Sequence, residues 1–315
     1  MLPSDVKERI DAYLKNPECG ILLVGKHGLG MTDAAFDMAA KLLGNGITAK
    51  ELLEKPVPDF CTVHPGIKEK DKKGNITYKS TIGVDELVQI FNLSSLASLS
   101  GNKKVVIIPS FEKLTNAAQN RLLKTLEEKS DLVIIGVCHD LSKVIGTVRS
   151  RMASVEFHPL SISVYSSQYA GQDMPFLYYL SSGAIGQVES VRPVLDTARK
   201  VVEAISCREL DNLFQIFNVW KENDKESFFS VYQKNIPGLI SVITAFILET
   251  MAYRTNTSDH TDFSAVYIQT AAALYSDEEF CTLLSILSNE AVACKYQSYN
   301  KEDFFLFVAR LVELK

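Results

Sequence analysis

Apolar positions in the first half of the chain fall into two alternating patterns. Ile21–Val24, Val105–Ile108 and Leu132–Val137 are short, continuously apolar runs rich in β-branched residues. Runs without a polar face are expected of strands covered on both sides of a parallel sheet. Between them, apolar residues recur every three or four positions and predict helices over 32–43, 84–93 and 115–128. In the last of these Ala118, Leu122 and Leu126 form one stripe, and Thr115 stands where a cap belongs. This alternation predicts a parallel sheet with helices on both faces. The segment HPGIKEKDKKGNITYKS, 64–80, interrupts it, and its Gly74-Asn75 pair predicts a hairpin tip. The KEKDKK tract, 68–73, mixes both charges and reads as a solvated tip, with a DNA or partner contact as the competing reading.

From about residue 160 the strand pattern fades. FLYYLSS and everything after Pro193, down to EDFFLFVARLVEL, read as amphipathic helices, with Gly183 and Gly186 between them. The most apolar stretch, LISVITAFILETMAY from Leu239, carries Ser241, Thr244 and Glu249 and is too short to cross a bilayer. A buried helix is expected there. The expected organisation is an α/β domain over 1–160, a small helical lid over 161–205 and a helical collar domain over 206–315.

Length and composition agree with this outline. A chain of 315 residues exceeds what one core usually serves. With 46% hydrophobic and 23% charged residues it is ordinary globular protein. The net charge of −5 argues against a surface built wholly for nucleic acid. Six scattered cysteines without a CxxC pair suggest neither a zinc module nor a disulfide framework, so no metal and a reducing cytoplasm are expected. The amphipathic, charged start MLPSDVKERIDAYLK does not read as a secretory signal. The Asn-X-Ser/Thr sequons at Asn75, Asn92 and Asn256 are then chance matches.

The candidate chemistry begins at GKHGLGMTDAA, 25–35, directly after the first strand run. A phosphate loop of the GxxxxGK[ST] type needs glycines that aim backbone N–H groups at phosphates, a lysine on the terminal phosphates and a hydroxyl on magnesium. Gly25 and Gly30 have the spacing, Gly28 adds freedom and Thr32 supplies the hydroxyl, but Met31 takes the lysine's place. A thioether has no charge and donates no hydrogen bond. Lys26, at the loop's start, is not positioned to replace it. An ATPase would also follow the strand at 105–108 with an acidic pair for magnesium and water, and here Pro109-Ser110 follows. Glu112 and Glu127 read as surface charges beside helices, and His27 as a bystander. Both losses touch the chemistry and neither touches the fold, so no bound nucleotide cofactor and no hydrolysis are expected.

The run KKVVIIPSFEKLTNAAQNRLLKTLEEKSDLVIIGVCHD, 103–140, with IGVDELVQIFNLSSLASLSGNKK, 82–104, and TVRSRMASVEFHPL, 147–160, resembles the small clamp-loader subunits of the AAA+ superfamily. The likeness covers most of residues 15–190 and is strongest to subunits of the bacterial DNA polymerase III loader whose nucleotide site is typically defective. It implies that the first sensor falls at Val137-Cys138 and the second sensor's arginine at Gln187, so that four parts of the pocket are replaced. It also implies a surviving part. Such subunits carry Ser-Arg-Cys, whose arginine reaches a neighbour's ATP, and Ser150-Arg151-Met152 stands at that place. A guanidinium is permanently charged and offers a planar fork of donors, which suits a transferring phosphoryl group. Met152 departs from the family's cysteine, and the zinc-binding cysteine cluster of many relatives is missing.

The resemblance implies an ATPase-inactive subunit of a DNA polymerase III clamp loader, helping to place the sliding clamp on primed DNA and donating Arg151 to a neighbouring ATPase subunit. Its implied partners are the gamma or tau ATPase subunits, a delta subunit, the clamp and, through the complex, primed DNA, with no membrane. Two other readings stay open: an active P-loop ATPase or small-molecule kinase using Lys26, and an inactive AAA+ adaptor outside replication.

Overall fold

In a computed structural model of the chain, the structure describes residues 3–70, 76–95, 98, 102–128, 131–168, 173–209, 226–257, 262–296 and 301–313. The chain divides into two compact units, Met1–His158 and Pro159–Lys315.

The first unit runs α1 (Ser4–Lys15), β1 (Gly20–Val24), α2 (Met31–Leu43), α3 (Ala49–Glu54), β2 (Phe60–Thr62), β3 (Ile67–Lys70), β4 (Ile76–Tyr78), α4 (Val88–Ser95), β5 (Lys104–Ile108), α5 (Asn116–Glu127), β6 (Leu132–Cys138), α6 (Gly146–Arg149) and β7 (Ala153–Glu156). Its main sheet has the order β2-β5-β6-β1-β7, and every pairing in it is parallel. The continuous apolar runs are explained by what lies on each side. Ile21, Leu23, Val105, Ile107, Val133 and Ile135 face one core together with α1 and α2, whereas Leu22, Val106, Ile108, Leu132 and Ile134 face a second core with α4 and α5. The alternate residues of each central strand are thus both buried, and no polar face is left to show a period of two.

Local chemistry sets the element ends. Thr115 caps α5 by accepting from the Ala118 N–H at 3.2 Å, and Ala118, Leu122 and Leu126 lie in the second core. The helix expected at 84–93 begins as a 3-10 turn, Asp85–Leu87, before α4. Two strands were absent from the sequence reading, β2 and β7, and both are short edges paired on one side only. The 64–80 insertion is the antiparallel hairpin β3–β4. Its Gly74-Asn75 tip and residues 71–73 of the basic tract lie outside the described residues.

The second unit is helical among its described residues: α7 (Ile162–Gln168), α8 (Met174–Leu180), α9 (Val188–Val191), α10 (Leu195–Cys207), α11 (Glu226–Arg254), α12 (Ala265–Leu274), α13 (Asp277–Tyr296) and α14 (Lys301–Glu313). One hydrophobic cluster runs from Tyr165 to Val312 and so crosses the expected lid–collar boundary, whose following segment, 210–225, is outside the described residues. The apolar stretch from Leu239 lies within α11. By length and composition Asn235–Arg254 could cross a membrane, but 56% of its apolar window is buried inside the protein, with Val242, Phe246 and Ile247 fully covered. Thr250 is buried there and donates to the Phe246 carbonyl at 2.8 Å, so its hydroxyl is satisfied within the helix. Gly238 is required where α11 crosses α8, since a Cβ there would stand 2.6 Å from the Leu180 carbonyl oxygen.

Candidate functional site

The parallel register ends β1, β5 and β6 at one edge, pairing Val24 with Cys138 and Ile108 with Gly136. Ligand sites of open parallel sheets lie at such carboxyl ends. The glycine loop starts there. The Gly25 N–H donates to the Cys138 carbonyl at 3.1 Å, and a Cβ on Gly25 would meet the Phe157 carbonyl oxygen at 2.8 Å. Gly28 and Gly30 have φ of 81° and 82°, a left-handed conformation that glycine adopts without a steric penalty. Backbone shape thus calls for glycine at these three positions. Gly30 leads straight into α2, whose first residue is Met31.

Met31 does not face the loop's open side. It is 2% exposed and belongs to the core that holds Ile21, Leu23, Val137 and Phe157. The place a phosphate-binding lysine would take is occupied by a packed core side chain, while Thr32 is exposed beside it. At the end of β5, the Ser110 carbonyl accepts from the Lys113 N–H at 3.0 Å and its hydroxyl caps nothing. The following Phe111 is fully buried against Gly136 of β6, where a Cβ would come within 2.5 Å of the ring. This packing accounts for the glycine in the middle of the LVIIGVC strand.

Two histidines meet above the loop. His27 and His139 stack with ring centroids 3.5 Å apart and planes inclined by 27°. His139 Nδ1 lies 3.1 Å from the Gly25 carbonyl, which can only accept, so the contact places a proton on Nδ1. The His139 N–H donates to Glu112 Oε2 at 3.2 Å. Burial first and His139 second hold His27 below the usual imidazole value, with Lys113 adding to the effect and Glu112 opposing it. Burial pushes the Cys138 thiol up to about 11, which favours its protonated form at neutral pH. His27 is thus part of a stack with His139, and Glu112, beside its helical turn, accepts from a backbone N–H. Once β1 and β6 are parallel neighbours, the residues that follow them are brought together.

Ser150-Arg151-Met152 joins α6 to β7. Met152 is buried beside Gly20, where a Cβ would stand 3.0 Å from its Cε, so it fills the second core where the family has cysteine. Arg151 is held within its own chain. Glu127 Oε1 accepts from its Nε at 2.9 Å and lies 2.8 Å from its Nη2. Nη1 donates to the Thr147 carbonyl at 2.9 Å and reaches Ser150 Oγ at 3.5 Å. Glu127, read from the sequence as a helix-flanking charge, is therefore the arginine's partner.

Gln119 had no role in the sequence reading. It is fully buried; Nε2 donates to the Leu114 carbonyl at 3.1 Å and the Lys143 carbonyl at 2.9 Å, and Oε1 accepts from the Ile145 N–H at 2.8 Å. This one amide ties α5 to the loop that enters α6 and carries Arg151. In the second unit Gln187 ends a 3-10 turn, and its Oε1 accepts from Ser190 Oγ at 2.8 Å. Among the described residues, no group of three or more His, Cys, Asp or Glu side chains is placed to hold a metal ion.

Residues 10–161 match the family model described as DNA polymerase III, delta subunit. The DNA polymerase III subunit delta' of Yersinia pestis is 40% identical over 74 residues, 23% of this chain and 22% of the relative. Subunit delta' of Pseudomonas aeruginosa is 27% identical over 165 residues, 49% of this chain and 47% of the relative. The chain thus spans about half the length, at most, of these curated relatives. The crystal structure of a DNA polymerase III gamma subunit-related protein from Thermotoga maritima has the same fold, with a TM-score of 0.51 and 15% identity over 98% of both chains. Over residues 10–161 the chain thus resembles the delta and delta-prime subunits of DNA polymerase III in sequence, and it shares the fold of the gamma subunit-related protein.

Proposed function

We propose that this subunit supports the loading of a sliding clamp onto primed DNA without turning over ATP itself, and that it offers Arg151 to nucleotide held by a neighbouring ATPase subunit. The observation that carries the first part is the burial of Met31, 2% exposed in the core at the position where a loop of this type needs its lysine. Pro109-Ser110 in place of the acidic pair and the His27–His139 stack on the loop support the same reading. No nucleotide cofactor is required by this chain. Donation in trans needs no working pocket in the donor, only a charged fork at the surface, and the Arg151 side chain is 38% exposed.

The partners that fit this role are gamma or tau ATPase subunits, a delta subunit, the clamp and primed DNA held by the assembly, in the cytoplasm. Residues 161–205 would serve as a lid and 206–315 as a collar contributing to the ring. The test is turnover. The purified chain alone should hydrolyse no ATP, and Arg151→Ala should lower turnover in the reconstituted loader, by about 10³-fold or more at the site it serves. Unchanged turnover of the reconstituted loader would sink the arginine assignment. Tight ATP binding with magnesium-dependent turnover by the isolated chain would favour the reading that relies on Lys26.

A further inference from the structure

The guanidinium of Arg151 has five N–H donors, and their use within the chain is uneven. Glu127 Oε1 takes the edge formed by Nε and Nη2, and the Thr147 carbonyl takes one hydrogen of Nη1. One hydrogen on Nη2 is left without an acceptor among the described residues, and the second on Nη1 makes only a long bond, 3.5 Å, to Ser150 Oγ that a charged acceptor would displace. Two hydrogens on adjacent nitrogens are what a bidentate contact with phosphoryl oxygens requires. From this geometry we infer that Glu127 is a positioning residue, holding Arg151 by one edge so that the remaining donors are presented to a neighbour's phosphate. The inference rests on the trans role proposed above for Arg151.

Two features separate this from an incidental surface ion pair. The side chains are 38% and 55% exposed, and pairs so open to water add little to stability. Glu127 is also the last residue of α5, where the helix dipole disfavours a carboxylate. Neither the ion pair's contribution to folding stability nor the helix dipole therefore accounts for an acid at this place. Orientation does: an untethered arginine samples many rotamers, and fixing it beforehand removes that cost from the reaction step.

The experiment compares wild type, Glu127→Ala, Glu127→Gln, Arg151→Ala and the Glu127→Ala/Arg151→Ala double variant in the reconstituted loader, with ATP, clamp and primed DNA. Glu127→Ala should lower kcat about tenfold with little change in KM for ATP, since a lost orientation acts on the transition state. Glu127→Gln keeps an acceptor oxygen and should retain most of the activity. In the Arg151→Ala background, Glu127→Ala should cause no further loss. An equal loss in that background would make Glu127 merely structural and overturn the inference. A rise in turnover on Glu127→Ala would overturn it too, because the carboxylate would then be a restraint. If Arg151→Ala is itself silent, the trans reading fails; if Arg151→Ala is severe and Glu127→Ala silent, only the positioning role fails.

Discussion

His27, in the glycine loop, stacks on His139, at the end of β6, with 3.5 Å between ring centroids. His139 in turn contacts the Gly25 carbonyl through Nδ1 and gives its backbone N–H to Glu112. The loop is thereby tied to the strand beside it by its own side chains. Its glycines keep their left-handed turns, while the residue that follows them, Met31, belongs to the core.

Restoring the consensus lysine should not restore an ATPase. Met31→Lys puts an ammonium at a site that is 2% exposed, and an uncompensated buried charge costs about 3 kcal/mol or more. Urea unfolding should register that loss, and ATP hydrolysis by the purified variant should stay at background. Turnover appearing in Met31→Lys alone would contradict the account of the core at this position.

The histidine stack should make the first unit sensitive to mild acid. His27 has a folded-state pKa below its unfolded value near 6.5, so the unfolded chain binds the proton more tightly. Its contribution is whole above that value and is lost as pH falls through it, with His139 and Lys113 repelling the charge and Glu112 compensating in part. The decline in Tm between pH 7.5 and 5.5 should therefore be smaller in His27→Gln than in wild type. An equal decline in both would remove His27 as its source.

Gln119→Leu keeps the volume and loses three hydrogen bonds. The Ile145 N–H and the carbonyls of Leu114 and Lys143 would be left without their side-chain partner, a cost of about 3 kcal/mol in urea unfolding. Because the freed loop leads into α6 and Arg151, the reconstituted loader should also turn over ATP more slowly with this variant. A variant as stable as wild type would show that water replaces the amide.

In the second unit Glu249 accepts from the backbone N–H groups of Asp262 and Phe263 at 3.0 Å and 3.2 Å. Burial first, with the Asp262 charge adding and these N–H donors opposing, pushes its carboxyl up to about 7. The folded value lies above the unfolded one, so the contribution is full below about pH 4.5 and is lost as pH rises through 7. Glu249→Gln keeps an acceptor without the charge and should be more stable than wild type at pH 8, by about 1–2 kcal/mol after allowance for the site's partial exposure. Equal stability of the two proteins at pH 8 would show that the charge is already relieved.

The central strands could be read from the chain because their burial on both faces writes itself as unbroken apolar runs, and α5 because its stripe and its Thr115 cap are local. The edges could not. Phe60–Thr62 and Ala153–Glu156 are three and four residues long and pair on one side, so they carry too few positions to show a period. The glycine loop and Ser150-Arg151-Met152 were legible as motifs, since each is contiguous. The contacts of Glu112, Glu127, His27 and Gln119 are not legible in the chain, because each is made with residues distant in sequence.

Residue identity along the chain was enough to establish that the glycine run 25–30 is followed by Met31 and Thr32 with no lysine, that the strand before Pro109 ends without acids, and that an arginine follows Ser150. These are statements about which chemical groups exist. Where those groups point was decided only on folding: Met31 turned into the core, His27 onto His139, and Arg151 onto Glu127. The physical reason is that absence of a charge or donor is a property of one side chain, whereas orientation is set by packing and hydrogen bonding between segments that only the parallel sheet brings together.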